Sequence, residues 1–174
     1  MAITIDATAG GTGANSFVLL TEAETYMEGR GNKALWTAAT DADKDIALAE
    51  ATRDIGLKEY TGYRTTSTQA LSWPRISADD PDNPVQGWFD DDVVPSRIKN
   101  ATSELAFQYL KAGTTDIAAL DAKINVRSKQ VDVLRTEYFS PTYTPTGLAR
   151  YPRVMAFLGP LLAYSGNSIP LVRG

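Results

Sequence analysis

At 174 residues, with 43% hydrophobic and 22% charged side chains, the chain suits a single domain large enough to bury a core. It holds no cysteine and no histidine, which removes disulfides, thiolate and imidazole metal sites, and every Ser-His or Cys-His nucleophile pair. A net charge of -4 leaves the molecule as a whole without the cationic footprint of a nucleic-acid binder.

Residues 1–16 carry Gly10, Gly11 and Gly13 among small polar side chains and read as a flexible, extended N-terminal arm. A first helix is expected from Thr21, where Thr21 and Glu24 have capping-box spacing and Gly29 and Gly31 stop the run. Thr40 or Asp41 can cap a longer second helix to about Tyr60, with Leu48, Ala51, Thr52 and Ile55 on one stripe and Gly62 beyond its end. An extended stretch then leads to the corner Leu71-Ser-Trp73-Pro74-Arg75. Residues 76–92 hold Asp79, Asp80, Asp82, Asp90, Asp91 and Asp92 with no Lys or Arg, and their prolines mark a surface loop.

Pro95 opens a third helix, where a missing N–H costs nothing, and Ile98, Ala101, Leu105 and Tyr109 give that helix its apolar face. The period changes to two after Lys123. Ile124 and Val126, then Val131 and Val133, predict a hairpin or two short strands in the region 123–138, separated by Arg127–Gln130. Pro152 begins a last helix that Gly159-Pro160 should kink or end. The tail 165–174 is too short and polar to pack alone. The expected fold is mainly α: one domain over 17–164, built as a small helical bundle with a short β-hairpin and extended terminal arms.

Each candidate site has a plain alternative. The six aspartates lack the Asp-x-Asp-x-Asp-Gly spacing of a calcium loop and read as a solvated loop. The glycines near the N-terminus lack the Gly-Lys-Ser/Thr of a phosphate loop. Trp73 belongs to a packed corner. Trp88 and Phe89 neighbour three aspartates, which would repel a phosphate backbone, so they must fold back on the core or be covered by a partner. Lys123, Arg127, Lys129 and Arg135 sit against only Asp132 in their span; in a monomer they read as an exposed strand whose charges keep its edge soluble, and they are the one place where the sequence leaves room for contact with nucleic acid. No cofactor, no catalytic site and no membrane insertion are expected, since no apolar run nears the ~20 residues that span a bilayer. Met1–Asp6 lacks the basic and apolar regions of a secretory signal.

Ser16-Phe-Val-Leu-Leu-Thr-Glu-Ala-Glu-Thr-Tyr26, the span Ala39–Ile55, Leu71-Ser-Trp-Pro-Arg75 and Val94-Pro95 through Leu110 occur together in order and spacing. In this the chain resembles the head–tail adaptor (head-completion) proteins of tailed bacteriophages, a family that also carries the label DnaT-like ssDNA-binding. Leu19 departs from the family's usual serine, and Ile98 replaces its central valine. The resemblance implies a structural virion protein at the neck, made in the host cytoplasm, that forms a typically dodecameric ring under the portal. Such a ring would extend the DNA channel and meet a downstream neck or tail protein. It would place Lys123, Arg127, Lys129 and Arg135 as candidates for non-specific contact with duplex DNA. Trp88, Phe89, Ile169, Leu171, Val172 and Arg173 are the candidates for portal or partner contact, and Trp73, Pro74 and Pro95 are structural. The label's other function, binding of single-stranded DNA, is the alternative.

Overall fold

The two longest apolar stripes become the two central helices. The computed structural model describes residues 3–83, 85–113, 115, 128–131, 134–137 and 145–163. Helix α1 spans Leu20–Glu28, α2 Ala34–Ala38, α3 Asp41–Gly56 and α4 Ser96–Ala112. Strands β1 (Tyr63–Arg64) and β2 (Arg75–Ile76) pair antiparallel, as do β3 (Ser128–Val131) and β4 (Leu134–Glu137). Helix α5, Pro152–Leu158, lies between 3-10 turns at Gly147–Arg150 and Gly159–Leu161. This is the mainly helical bundle with a small hairpin that the sequence pattern predicts.

The caps explain where the helices begin. Thr40 precedes α3, and the Asp43 N–H donates to its hydroxyl at 3.2 Å, satisfying a first-turn donor. Thr40→Ala should therefore lower stability by about 1 kcal/mol, read as a lower urea midpoint with unchanged slope; an unchanged midpoint would mean that the cap contributes nothing. At the other end of the bundle, Gly113 takes a left-handed φ of 67° and its N–H closes α4 on the Tyr109 carbonyl at 2.9 Å. Pro95 stands just before α4 as its N-cap, one position earlier than the spacing suggests.

Three boundaries differ from expectation for local reasons. Helix α1 starts at Leu20, where the Leu19 N–H donates to Glu22 at 3.0 Å and Lys99 holds the same carboxylate. Thr21 is thus inside the helix, and Glu24 reaches Lys44 at 3.0 Å instead of capping. Helix α3 stops at Gly56, because Tyr60 turns back to donate its hydroxyl to the Ile55 carbonyl at 2.8 Å. The hairpin pairs Val131 with Leu134 and Ser128 with Glu137, so Ser128–Gln130 belong to the ladder and not to the turn. Ile124, Val126 and Val133 lie outside the described residues. The short α2, which buries Trp36, escaped the sequence reading because it has neither a side-chain cap nor two full turns of pattern.

Helix α4 runs through the middle, packed by α1, α2, α3 and α5. From Ala101 to Phe107 every residue is buried, which a helix tolerates only when neighbours cover it all round. One of those residues is Glu104. Its carboxylate accepts from Arg30 of the segment after α1 at 3.1 Å, from Arg153 of α5 at 3.0 Å and from the Tyr26 hydroxyl at 3.0 Å. Burial opposes its ionisation, but these donors outweigh burial and hold the carboxyl below its ordinary range. The Arg30 guanidinium also lies 3.9 Å from the centre of the Phe107 ring. Burial and the Glu104 charge push the Tyr26 hydroxyl up to about 12.

The glycine-rich start of the chain is extended backbone closed into a loop. The Asn15 side chain donates to the Thr4 carbonyl at 2.8 Å and accepts from the Asp6 N–H at 2.8 Å. Gly10, at φ 71°, makes the reversal, and the Ala70 N–H ties the loop to the Gly11 carbonyl at 3.1 Å. Asparagine's paired donor and acceptor do here what the glycines alone could not.

Candidate interaction surface

The corner at Leu71–Arg75 is a rigid block. Trp73 is 1% exposed, with Tyr60 edge-on at 5.5 Å and Phe89 edge-on at 5.8 Å between ring centres. Pro74, joined to Trp73 by a cis peptide, is also buried. The Gln69 amide donates to the Leu71 and Pro74 carbonyls at 2.8 and 3.0 Å. The Arg75 guanidinium donates to the carbonyls of Tyr60, Thr61, Gly62 and Ser72. Its burial and the nearby Arg64 make its charge harder to hold, so this arginine is a pin for backbone acceptors and not a phosphate contact. Gly62, at φ 69°, passes so close to β2 that a Cβ would stand 2.2 Å from the Ile76 carbonyl oxygen.

The acidic loop is built on this block. Ala78 is buried and accepts from the Phe89 N–H at 3.0 Å, while Asp79 bridges to Trp88 across the base of the loop. Gly87, at φ 81°, returns the chain; its carbonyl accepts from Asp80 at 3.0 Å. Adjacent residues in extended backbone point to opposite sides. Phe89 therefore turns in against Trp73, and Trp88 turns out, 57% exposed.

Trp88 is not alone outside. Ile76, 41% exposed, shares with it a depression of about 220 Å³ whose wall includes Phe89, Asp90 and Asp91. Tyr63, 78% exposed, stands opposite Ile76 in the β1–β2 ladder. Three large apolar side chains thus share one face with a carboxylate rim. Arg97 grips Asp82 through two hydrogen bonds of 2.6 Å and lowers its affinity for a proton. Asp90 accepts from Gln86 at 3.1 Å. Asp79, Asp91 and Asp92 are exposed and have no cationic partner among the described residues.

Of the cations expected at DNA, Lys129 lies on β3 opposite Thr136 and Arg135 on β4 opposite Gln130. Lys123 and Arg127 lie outside the described residues, as do Ile169, Leu171, Val172 and Arg173 of the tail. Elsewhere the described cations are mostly engaged: Arg30 and Arg153 on Glu104, Lys44 on Glu24 and Asp41, Arg53 on Glu50, Arg97 on Asp82 and Lys99 on Glu22. Lys33, Lys58, Arg64 and Lys111 stand on four separate segments. The described residues therefore present no row of basic side chains interleaved with aromatics, the arrangement that single-strand binding uses. Among them, no group of acidic side chains converges as a metal site, and no helix is long and apolar enough to cross a membrane.

Two roles went unread in the sequence. Arg75 carries no local sign that its partners are carbonyls. Glu104 does leave a trace, since a glutamate directly before Leu105 in the most buried helix needs cations from other elements.

The family model described as "Putative DnaT-like ssDNA binding protein" matches residues 1–174, the whole chain. No curated protein and no solved structure matches it.

Proposed function

From the premise that this chain belongs to the DnaT-like ssDNA binding protein family, we propose that it serves as a head–tail adaptor of a tailed bacteriophage, a structural ring subunit without catalytic activity. The reading places the protein at the virion neck, joined to the portal above and to a neck or tail protein below, with duplex DNA passing through. Its main support is the outward face at Trp88, where an aromatic side chain and two apolar neighbours are rimmed by aspartates that have no cationic partner among the described residues. Such a face repels a phosphate backbone and suits a protein partner. The tail residues Ile169, Leu171, Val172 and Arg173 are proposed as a second contact, on the portal or a neighbouring subunit.

Binding of single-stranded DNA is the second reading. It draws on the family's description and on the basic span Lys123–Arg135. One experiment separates the two. Purified protein is mixed with its portal and imaged by particle averaging, and in parallel titrated with an oligonucleotide at physiological salt. The adaptor reading expects closed rings on the portal and weak oligonucleotide binding that falls steeply with salt. A monomer that ignores the portal and binds the oligonucleotide tightly would establish the second reading instead.

A further inference from the structure

We infer that the depression beside Trp88 holds the side chain of an arginine presented by a different protein. The inference rests on the reading of this face as a protein contact and names what that contact takes; it does not need the ring.

The depression is formed before any partner arrives. It measures about 220 Å³; Ile76, Trp88 and Phe89 supply its apolar walls, and Gln86, Asp90 and Asp91 its polar ones. These walls are fixed by neighbours. The Phe89 ring meets Trp73 edge-on at 5.8 Å, and its N–H donates to the Ala78 carbonyl at 3.0 Å. Ile76 follows Arg75 in β2, whose guanidinium is held by backbone carbonyls. The Gln86 amide donates to the Asp90 carboxylate at 3.1 Å, and the Thr65 hydroxyl, just after β1, donates to the Asp91 carbonyl. Little ordering entropy is left to lose on association, which favours a contact of modest size.

Size, apolar walls and charge select the occupant. Pockets for cofactors and other whole ligands run to about 300–1,000 Å³, so this smaller space suits one long side chain. Trp88, 57% exposed, offers an indole, the ring that attracts a cation best. Asp79 stands directly opposite Trp88 in an antiparallel bridge, flanked by the bonds from Asp80 to Gly87 and from Phe89 to Ala78. Side chains of such a pair share one face and approach closely. Carboxylates therefore adjoin the indole both across the bridge and along the depression. Among the described residues no acidic side chains converge as a metal site. A guanidinium, planar and with five donors, can span separated carboxylates while its aliphatic stem covers the apolar wall.

The cation must come from elsewhere. Residues 76–92 contain six aspartates and no Lys or Arg, and a chain of net charge -4 repels further copies of itself. Most described cations already hold carboxylates, among them Arg30, Lys44, Arg97, Lys99 and Arg153. Nucleic acid brings more negative charge to a face that has too much. A basic side chain on another protein matches both the rim and the rings.

The test titrates isotope-labelled full chain with capped five-residue peptides that carry arginine, methionine or glutamate at the centre and glycine elsewhere. Amide and indole NMR signals are followed at physiological salt, with circular dichroism as the check on folding. The arginine peptide should shift residues 76–77, 86–91 and the Trp88 indole. The methionine peptide should bind about tenfold more weakly, and the glutamate peptide should leave these signals in place. Trp88→Ser should weaken arginine binding about fivefold, and Asp90→Asn with Asp91→Asn about tenfold. Asp79→Asn, at an exposed position outside the lining, should weaken it about threefold and keeps the test open where a loop variant fails to fold.

Equal binding of the arginine and methionine peptides, or shifts spread over every acidic segment, overturns the inference. An oligonucleotide that shifts the Trp88 indole would do the same. Shifts at these residues on raising the protein concentration alone would give the depression to a second copy and also overturn it. Rings on the portal without arginine binding would leave the adaptor reading standing and remove this one. Arginine binding by a protein that ignores the portal would keep the occupant and remove the adaptor reading.

Discussion

Trp73→Ala lowers the unfolding free energy by about 3–5 kcal/mol, the range for deleting a large buried aromatic. The ring is 1% exposed, and Tyr60 and Phe89 meet it edge-on from two sides. Neither neighbour can collapse into the space without leaving its own hydrogen-bonded backbone, so a cavity remains. Against a total stability of about 5–15 kcal/mol, this is a large share. Chemical denaturation measures it. The loss should also free Phe89 and loosen Trp88, so the interaction face is expected to fail together with the fold. A variant that stayed stable and lost oligonucleotide binding would mean that Trp73 stacks on bases, against its placement here.

Glu104→Gln is the second large effect, about 3–5 kcal/mol at neutral pH, because removing one partner leaves Arg30 partly buried and uncompensated. Its pH dependence separates charge from packing. Glu104 titrates below its ordinary value of 4.5 in the folded chain, with burial opposing and Arg30, Arg153 and Tyr26 prevailing. A depressed folded value means that the contribution is complete above the unfolded value and fades as pH falls through the folded one. The gap between wild type and variant should therefore be constant above about pH 5 and narrow below pH 4.5. A gap that stays constant down to pH 3 would assign the loss to shape and not to the ion pair. Asp54 moves the other way, raised by burial although Tyr109 donates to it, so wild type alone would not give a clean acid limb.

The parts of the fold that were legible rest on local rules. The stripes of α3 and α4, the Thr40 cap and the proline that opens α5 all act within one or two turns of chain. The corner at Trp73 was legible because a Trp-Pro pair between an extended run and an Asp-rich loop has few places to go. What stayed hidden depends on residues distant in sequence. Arg75 meets carbonyls as many as fifteen positions back, and Glu104 is neutralised by Arg30 from the segment after α1 and Arg153 from α5. The split between Phe89 and Trp88 was legible only as a choice: the sequence pattern shows that two aromatics in an acidic loop need cover, and backbone alternation decides which one gets it from the core.

The all-round burial of α4 has a consequence for how this chain can diversify. A helix with neighbours on every side through two turns has nothing left to offer to a visitor. Selection on it can only preserve fit, since almost any change of volume or polarity from Ala101 to Phe107 disturbs four other helices at once. Novelty must accumulate elsewhere, in short segments hung from the axle: the acidic loop, the small hairpin, the ends. A substitution in one of those segments can change what the chain touches without disturbing the inner helix. Two copies with unlike surfaces could still be assembled around an interchangeable centre.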